Sequence, residues 1–89
     1  MYMADMKEGL LVYNAGSERY EFFSNAFVPN SRTFFRGSTM EIYLDDSWKQ
    51  TRIEHNGREW YLVGTGLAGR KLESQKIRVT SINGMILPY

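Results

Sequence analysis

Trp48-Lys49-Gln50-Thr51-Arg52-Ile53-Glu54-His55-Asn56-Gly57-Arg58-Glu59-Trp60-Tyr61-Leu62-Val63 is the stretch whose reading decides the fold. Asn56-Gly57 is the strongest turn signal in the chain, because Asn-Gly readily fills the two positive-φ positions of a type I′ turn. Residues 59–63 after it are an aromatic, β-branched run, and residues 48–54 before it alternate in strand fashion. Together they predict a β-hairpin. Trp48 and Ile53 differ in parity, so a single buried face holds both only if the strand bulges or bends. A surface tryptophan is the other solution.

Upstream, Thr39-Met40-Glu41-Ile42-Tyr43-Leu44 places Met40, Ile42 and Leu44 on one face and Thr39, Glu41 and Tyr43 on the other. Asp45-Asp46-Ser47 turns the chain into the strand that begins at Trp48. Leu10 to Tyr13 is a short strand signal, Asn14-Ala15-Gly16-Ser17 a turn with glycine free to take positive φ, and Arg19-Tyr20-Glu21-Phe22 a strand with one face in water. Residues 1–8, with three of the five methionines, read as a flexible lead-in to a single domain over 9–89. Residues 24–38 are irregular. Pro29 argues against a central strand, yet Phe27, Val28, Phe34 and Phe35 are too apolar for a solvated loop, so the segment is expected to cover an open end of the sheet, with Thr33 to Phe35 adding a short strand.

Downstream, Gly64-Thr65-Gly66-Leu67-Ala68-Gly69 has the spacing of a phosphate loop but no room for the βαβ unit that such a loop needs, so a packing or loop role is expected. Lys71 to Gln75 fits one helical or 3₁₀ turn, Lys76 to Thr80 is a strand, and Asn83-Gly84 is a second hairpin signal before Met85-Ile86-Leu87. No stretch of ten residues keeps a 3.6-residue apolar period. The expectation is an all-β fold: a small, SH3-like, partly open barrel of five to seven short antiparallel strands.

Composition limits the chemistry. Eighty-nine residues suffice for one small core, and 43% apolar with 15% aromatic content is too rich for disorder. Without cysteine there is no disulfide and no thiolate site, and one histidine, His55, is poor material for a structural metal centre. The sequence shows no secretory leader at its start and no apolar run near the length of a membrane span, which gives a cytoplasmic expectation without a membrane. Asp45 and Asp46 lie adjacent in a turn, and His55 points away from its neighbour Glu54, so neither makes an acid–base pair. A non-catalytic protein without a cofactor is expected.

Binding is what remains. Thirteen aromatic residues exceed what so small a core needs, and Trp, Tyr and Arg are the usual anchors of protein interfaces. Tyr43, Trp48, Arg52, Trp60, Phe34 and Phe35 are the candidate partner-binding residues, together with the rest of the 27–35 loop. Arg52 could also pair with Glu41 across the strands. Nucleic acid is the alternative partner. Formal net charge is only +1, yet residues 46–89 carry seven basic and four acidic groups against four and six in residues 1–45. Lys49, Arg58, Arg70, Lys71, Lys76 and Arg78 are the candidate phosphate contacts, with aromatic rings for stacking. Pairing of exposed strand edges would make a homodimer.

Lys7-Glu8-Gly9-Leu10-Leu11-Val12-Tyr13-Asn14 with Arg19-Tyr20, then Gly37-Ser38-Thr39-Met40-Glu41-Ile42, the Trp48 to Glu54 stretch, Trp60-Tyr61-Leu62-Val63-Gly64 and finally Lys76-Ile77-Arg78-Val79 together resemble the small bacterial and phage-associated family of unknown function DUF5348. The longer aromatic loop at 22–35 and the tail after Thr80 depart from its pattern. The resemblance implies a compact β domain in a phage or mobile-element setting. By analogy with small phage proteins, it also implies engagement and inhibition of a host defence protein. It implies no catalytic residue.

Overall fold

The computed structural model describes residues 4–24, 32–82 and 85–86. The chain runs β1 (Ala4–Asn14), β2 (Arg19–Phe23), β3 (Arg32–Thr33), β4 (Thr39–Leu44), β5 (Ser47–His55), β6 (Trp60–Leu62), β7 (Leu67–Ala68), a 3₁₀ turn (Gly69–Leu72), β8 (Lys76–Ile82) and β9 (Met85–Ile86). All pairs are antiparallel in one sheet of order β3-β2-β1-β8-β4-β5-β6-β7, with β9 on β8. Six strands have three residues or more, so the all-β expectation of five to seven short strands holds.

The sheet curls around a core of Leu11, Phe22, Phe34, Ile42, Ile53, Leu62, Leu72 and Ile77, flanked by Tyr20, Met40, Trp60 and Val79. Backbone pairing does not join the end strands β3 and β7. Two side chains bridge that seam instead: Tyr20 Oη donates to the Gly69 carbonyl at 3.0 Å, and Trp60 Nε1 to the Glu18 carbonyl at 3.0 Å. This is how a partly open barrel satisfies two buried polar aromatics and ties its free ends together.

The flexible lead-in expected over residues 1–8 is corrected from Ala4 onward. Ala4–Leu10 pairs along the whole of β8, from Ala4↔Ile82 to Leu10↔Lys76. The strand escapes a local reading because its partner lies some seventy residues away. Its mixed composition is that of an outer face, where Thr80 Oγ1 donates to Met6 Sδ and Lys76 lies 3.7 Å from Glu8. At Gly9 the strand passes from β8 to β2 over the Phe22 ring. A Cβ there would fall on the Phe23 carbonyl oxygen and within 2.6 Å of Phe22 Cε1. Only glycine permits that approach.

The turns differ in detail from expectation. Asp45 and Asp46 both have positive φ (51° and 63°) and join the pair Leu44↔Ser47, so the two-residue turn sits here. At the Asn-Gly signal only Gly57 has positive φ. The loop between His55 and Trp60 is four residues long, and Asn56 Oδ1 accepts the amides of Arg58 and Glu59. In the first turn the left-handed residue is Glu18 rather than Gly16. Asn83-Gly84 and the Phe27-Val28 part of the 24–38 loop lie outside the described residues. Among the described residues no helix is long and apolar enough to cross a membrane.

Replacing Gly9 by alanine is expected to cost about 3 kcal/mol through overpacking against Phe22 and Phe23. Urea unfolding of the two proteins measures it. A loss below about 0.5 kcal/mol, the size of an ordinary surface change, would show that β1 does not need the close approach.

Candidate functional site

The β4–β5 register runs unbroken from Leu44↔Ser47 to Thr39↔Arg52. With no bulge, the opposed parity of Trp48 and Ile53 stands: Ile53 is fully buried and Trp48 lies on the outer face. There Trp48 meets Tyr43, its cross-strand neighbour, edge-on at 5.2 Å. β8 supplies the cations. The Arg78 guanidinium sits 4.4 Å from the Trp48 ring centre, and Lys76 Nζ lies 5.1 Å from that of Tyr43. Arg78 also donates through Nε and Nη2 to Glu41 Oε1, at 3.0 and 2.7 Å. Beyond this cluster, β4 and β8 pair only at Glu41↔Arg78 and Ile42↔Ile77. A cleft of about 380 Å³ opens beside that short contact, lined by Thr39, Glu41, Gln50, Arg52, Arg78 and Thr80 among others.

The structure therefore unites Tyr43, Trp48, Arg52, Lys76 and Arg78 on one face. Two expected partner-binding residues are not on this face. Phe34 is 2% exposed and Trp60 9% exposed, both in the core. Trp60 is drawn inward because Ile53, Glu54 and His55 of β5 pair with β6, which carries its ring onto the seam. Phe34 follows from Phe34 N–H bonding to the Tyr20 carbonyl beside β2. Phe35, next in sequence, is 53% exposed. Arg52 does not pair with Glu41. It bonds Glu54 at 2.8 Å, because Glu41 is opposite Gln50 and is taken by Arg78.

The six expected phosphate contacts also divide. Lys49 lies 3.7 Å from Asp45, and Lys76 and Arg78 belong to the aromatic face with carboxylates of their own. Arg58 and Arg70 instead line a second cavity, about 510 Å³, at the seam, where Tyr13, Tyr20, His55 and Trp60 supply aromatic walls. Lys71 is exposed on the adjoining 3₁₀ turn. Arg19 and Arg36 line a contiguous hollow that shares Glu18, His55 and Trp60, and Arg19 lies 4.8 Å from the Phe35 ring centre. Among the described residues Arg19, Arg36, Arg58 and Arg70 have no carboxylate at ion-pair distance. Sequence reading missed Arg19, Arg36 and Tyr13 as members of this end, since they come from separate segments with no shared motif. Glu18, Glu59 and Glu73 also line the seam cavity, so its charge is mixed. The described residues contain no group of three or more His, Asp and Glu placed to hold a metal ion.

The comparisons agree with this architecture. Residues 9–79 match the family described as Domain of unknown function (DUF5348). The chain belongs to the DUF5348 family. The crystal structure of a protein from Ruminococcus gnavus, a structural genomics target, is similar to it with a TM-score of 0.70 at 26% identity, covering 82% of this chain and all of that one. No curated protein matches. The family's description names no function, so the DUF5348 chain has to be read from its own surfaces.

Tyr20 at the seam gives a pH signature. Burial, then the nearby Glu73 and Tyr13, raise its phenol above the ordinary value. Because the folded-state value is the higher one, the stabilisation is fully present below the ordinary tyrosine pKa of about 10 and is lost as pH rises through the raised value. Tyr20→Phe is expected to lose about 1 kcal/mol at neutral pH with the Gly69 bond, and to show a flatter fall in stability above pH of about 10. Denaturant midpoints across that range measure both. Parallel alkaline curves for the two proteins would contradict the assignment.

Proposed function

We propose that this DUF5348 domain is a non-catalytic, protein-binding module whose partner docks on the outer face of β8, β4 and β5. The observation that carries the reading is the Tyr43–Trp48 pair, flanked by Lys76 and Arg78 and set beside the 380 Å³ cleft. Aromatic rings and arginines are the residue types in which interface energy concentrates. The stacking and the Arg78–Glu41 bonds hold these side chains in one arrangement before any partner arrives, which lowers the entropy lost on docking. Tyr43 remains substantially exposed and Trp48 half-buried.

A photo-crosslinking amino acid at Tyr43, with Ser17 as the control position on the far turn, tests this in lysate of the source organism. The expected result is a discrete protein adduct from position 43 that is absent from position 17 and lost when Trp48 is changed to alanine. Identical adduct patterns at both positions would overturn the reading.

The seam arginines, which have no carboxylate at ion-pair distance among the described residues, favour nucleic acid as the second reading, because Arg19, Arg36, Arg58 and Arg70 line the hollows beside Trp60 and His55, and Arg19 also lies over exposed Phe35. On this reading single-stranded DNA binds at about 50 mM salt and weakens steeply by about 200 mM, as counterion release requires. Arg58→Ala with Arg70→Ala then lowers the salt slope by about two phosphate contacts. No fluorescence change at the lower salt excludes it.

A further inference from the structure

We infer that the partner enters as an extended strand that pairs with the open edge of β5 at Trp48–Gln50 and places an acidic residue opposite Lys49. This deepens the protein-binding reading and rests on it. The edge is defined by backbone direction. Ile53 N–H donates to the Ser38 carbonyl and the Ile53 carbonyl accepts from Gly37, so Ile53 faces the β4 side. The Arg52 carbonyl accepts from Val63 on the opposite side. Strand residues alternate in this respect, and the β4–β5 register has no bulge. Lys49 and Thr51 therefore turn their amides and carbonyls to β4, while Trp48, Gln50 and Arg52 turn theirs outward. β6 pairs with β5 only from Ile53 to His55. Both backbone groups of Trp48, both of Gln50 and the Arg52 N–H consequently have no backbone partner among the described residues. That is the template for strand addition.

Charge selects the occupant. A second copy paired symmetrically about this short edge, Trp48 against Gln50 of its twin, sets Lys49 directly opposite Lys49, and like charges directly opposite are destabilising. Moving that pairing toward Arg52 runs into Val63, which already occupies the Arg52 carbonyl. Lys49 thus works as an edge guard against self-association. Among the described residues its ion-pair partner is Asp45 at 3.7 Å, with the Lys49 side chain about half exposed, and it remains open to a carboxylate across a new strand. On the outer face the incoming strand lies alongside Trp48 and Gln50, adjoining the cleft and the Tyr43–Trp48 cluster. A partner with an acidic residue on one face and apolar or hydroxyl residues on the other fits both sides.

The test uses the whole protein labelled with ¹⁵N and a capped peptide of alternating valine and threonine with one central glutamate, at millimolar concentration. Amide shifts are expected at Trp48 and Gln50, larger than those at Lys49 and Thr51. Exchanging the central glutamate for lysine is expected to weaken binding about threefold, the size of one cross-strand charge pair. N-methylation of the peptide at alternate residues, and Gln50→Pro, each remove edge hydrogen bonds and are expected to abolish the shifts. The proline removes no internal bond, since the Gln50 N–H points outward. Absence of shifts at these amides, or binding that survives N-methylation, overturns the strand-pairing inference. Light scattering that shows a concentration-dependent dimer would also overturn it, by making a second copy the occupant. Failure here with the Tyr43 crosslink retained would leave the face as a docking surface without strand pairing; loss of the crosslink removes the face itself.

Discussion

The two left-handed residues at Asp45 and Asp46 set everything that follows in the central hairpin. A two-residue turn of this kind closes on the pair Leu44↔Ser47 and leaves no freedom in the register behind it. A slip of one residue would exchange every inward and outward side chain of β5. Ile53 would then leave the core and Trp48 would enter it. Because the turn fixes the alternative that is seen, the largest side chain of β5 goes to the outer face, where it rests on Tyr43 and under Arg78. The same register decides which backbone groups of β5 point toward β4 and which toward the open side.

Closure of the sheet obeys a different logic. β3 and β7 are two residues long and do not pair with each other. The gap is spanned by polar aromatics whose rings fill the core and whose tips reach across the seam, Tyr20 to Gly69 and Trp60 to Glu18. Each net hydrogen bond is worth about 1 kcal/mol, but an unsatisfied buried phenol or indole would cost more than that. The seam is therefore both the point where the barrel is tied and the point where a cavity remains, since two long-range side-chain bonds fill less space than a ladder of backbone pairs and packed strands.

Much of the fold was legible because short-range alternation is a local property. Met40, Ile42 and Leu44 inward with Glu41 and Tyr43 outward could be read directly, as could Ile77 and Val79 against Lys76 and Arg78. What was illegible depended on distant partners. Ala4–Glu8 looks like a tail until β8 is beside it. Trp60 and Phe34 looked available because an aromatic on a short strand has no local signature of burial; the seam, built from Glu18 and Gly69, and the Tyr20 backbone decide their fate. The turn type was also misplaced. Asn-Gly favours a type I′ turn by intrinsic preference, but the pair His55↔Trp60 leaves four residues to connect, and Asn56 then serves better as an acceptor for two amides. Of the candidate site, Tyr43, Trp48 and Arg52 were readable as a group only through the hairpin; the arrival of Lys76 and Arg78 above them required the β4–β8 pairing.

A net charge of +1 conceals two opposite electrostatic situations. On the outer face every cation of the cluster is neutralised within the sheet: Arg52 by Glu54, Lys76 by Glu8 and Arg78 by Glu41. Such a face has little long-range pull on a polyanion, because the field of each ion pair decays quickly and salt screens the remainder. Its recognition has to come from shape, ring surface and backbone pairing. At the seam the arginines have no ion-pair partner among the described residues and stand among aromatics, but Glu18, Glu59 and Glu73 share the cavity. Electrostatic steering there is weaker than the arginines alone suggest. A steep salt dependence is thus a property that only the seam could produce, and salt-insensitive binding is what the β4–β5–β8 face would give. Ionic strength separates the two surfaces before any partner has been identified.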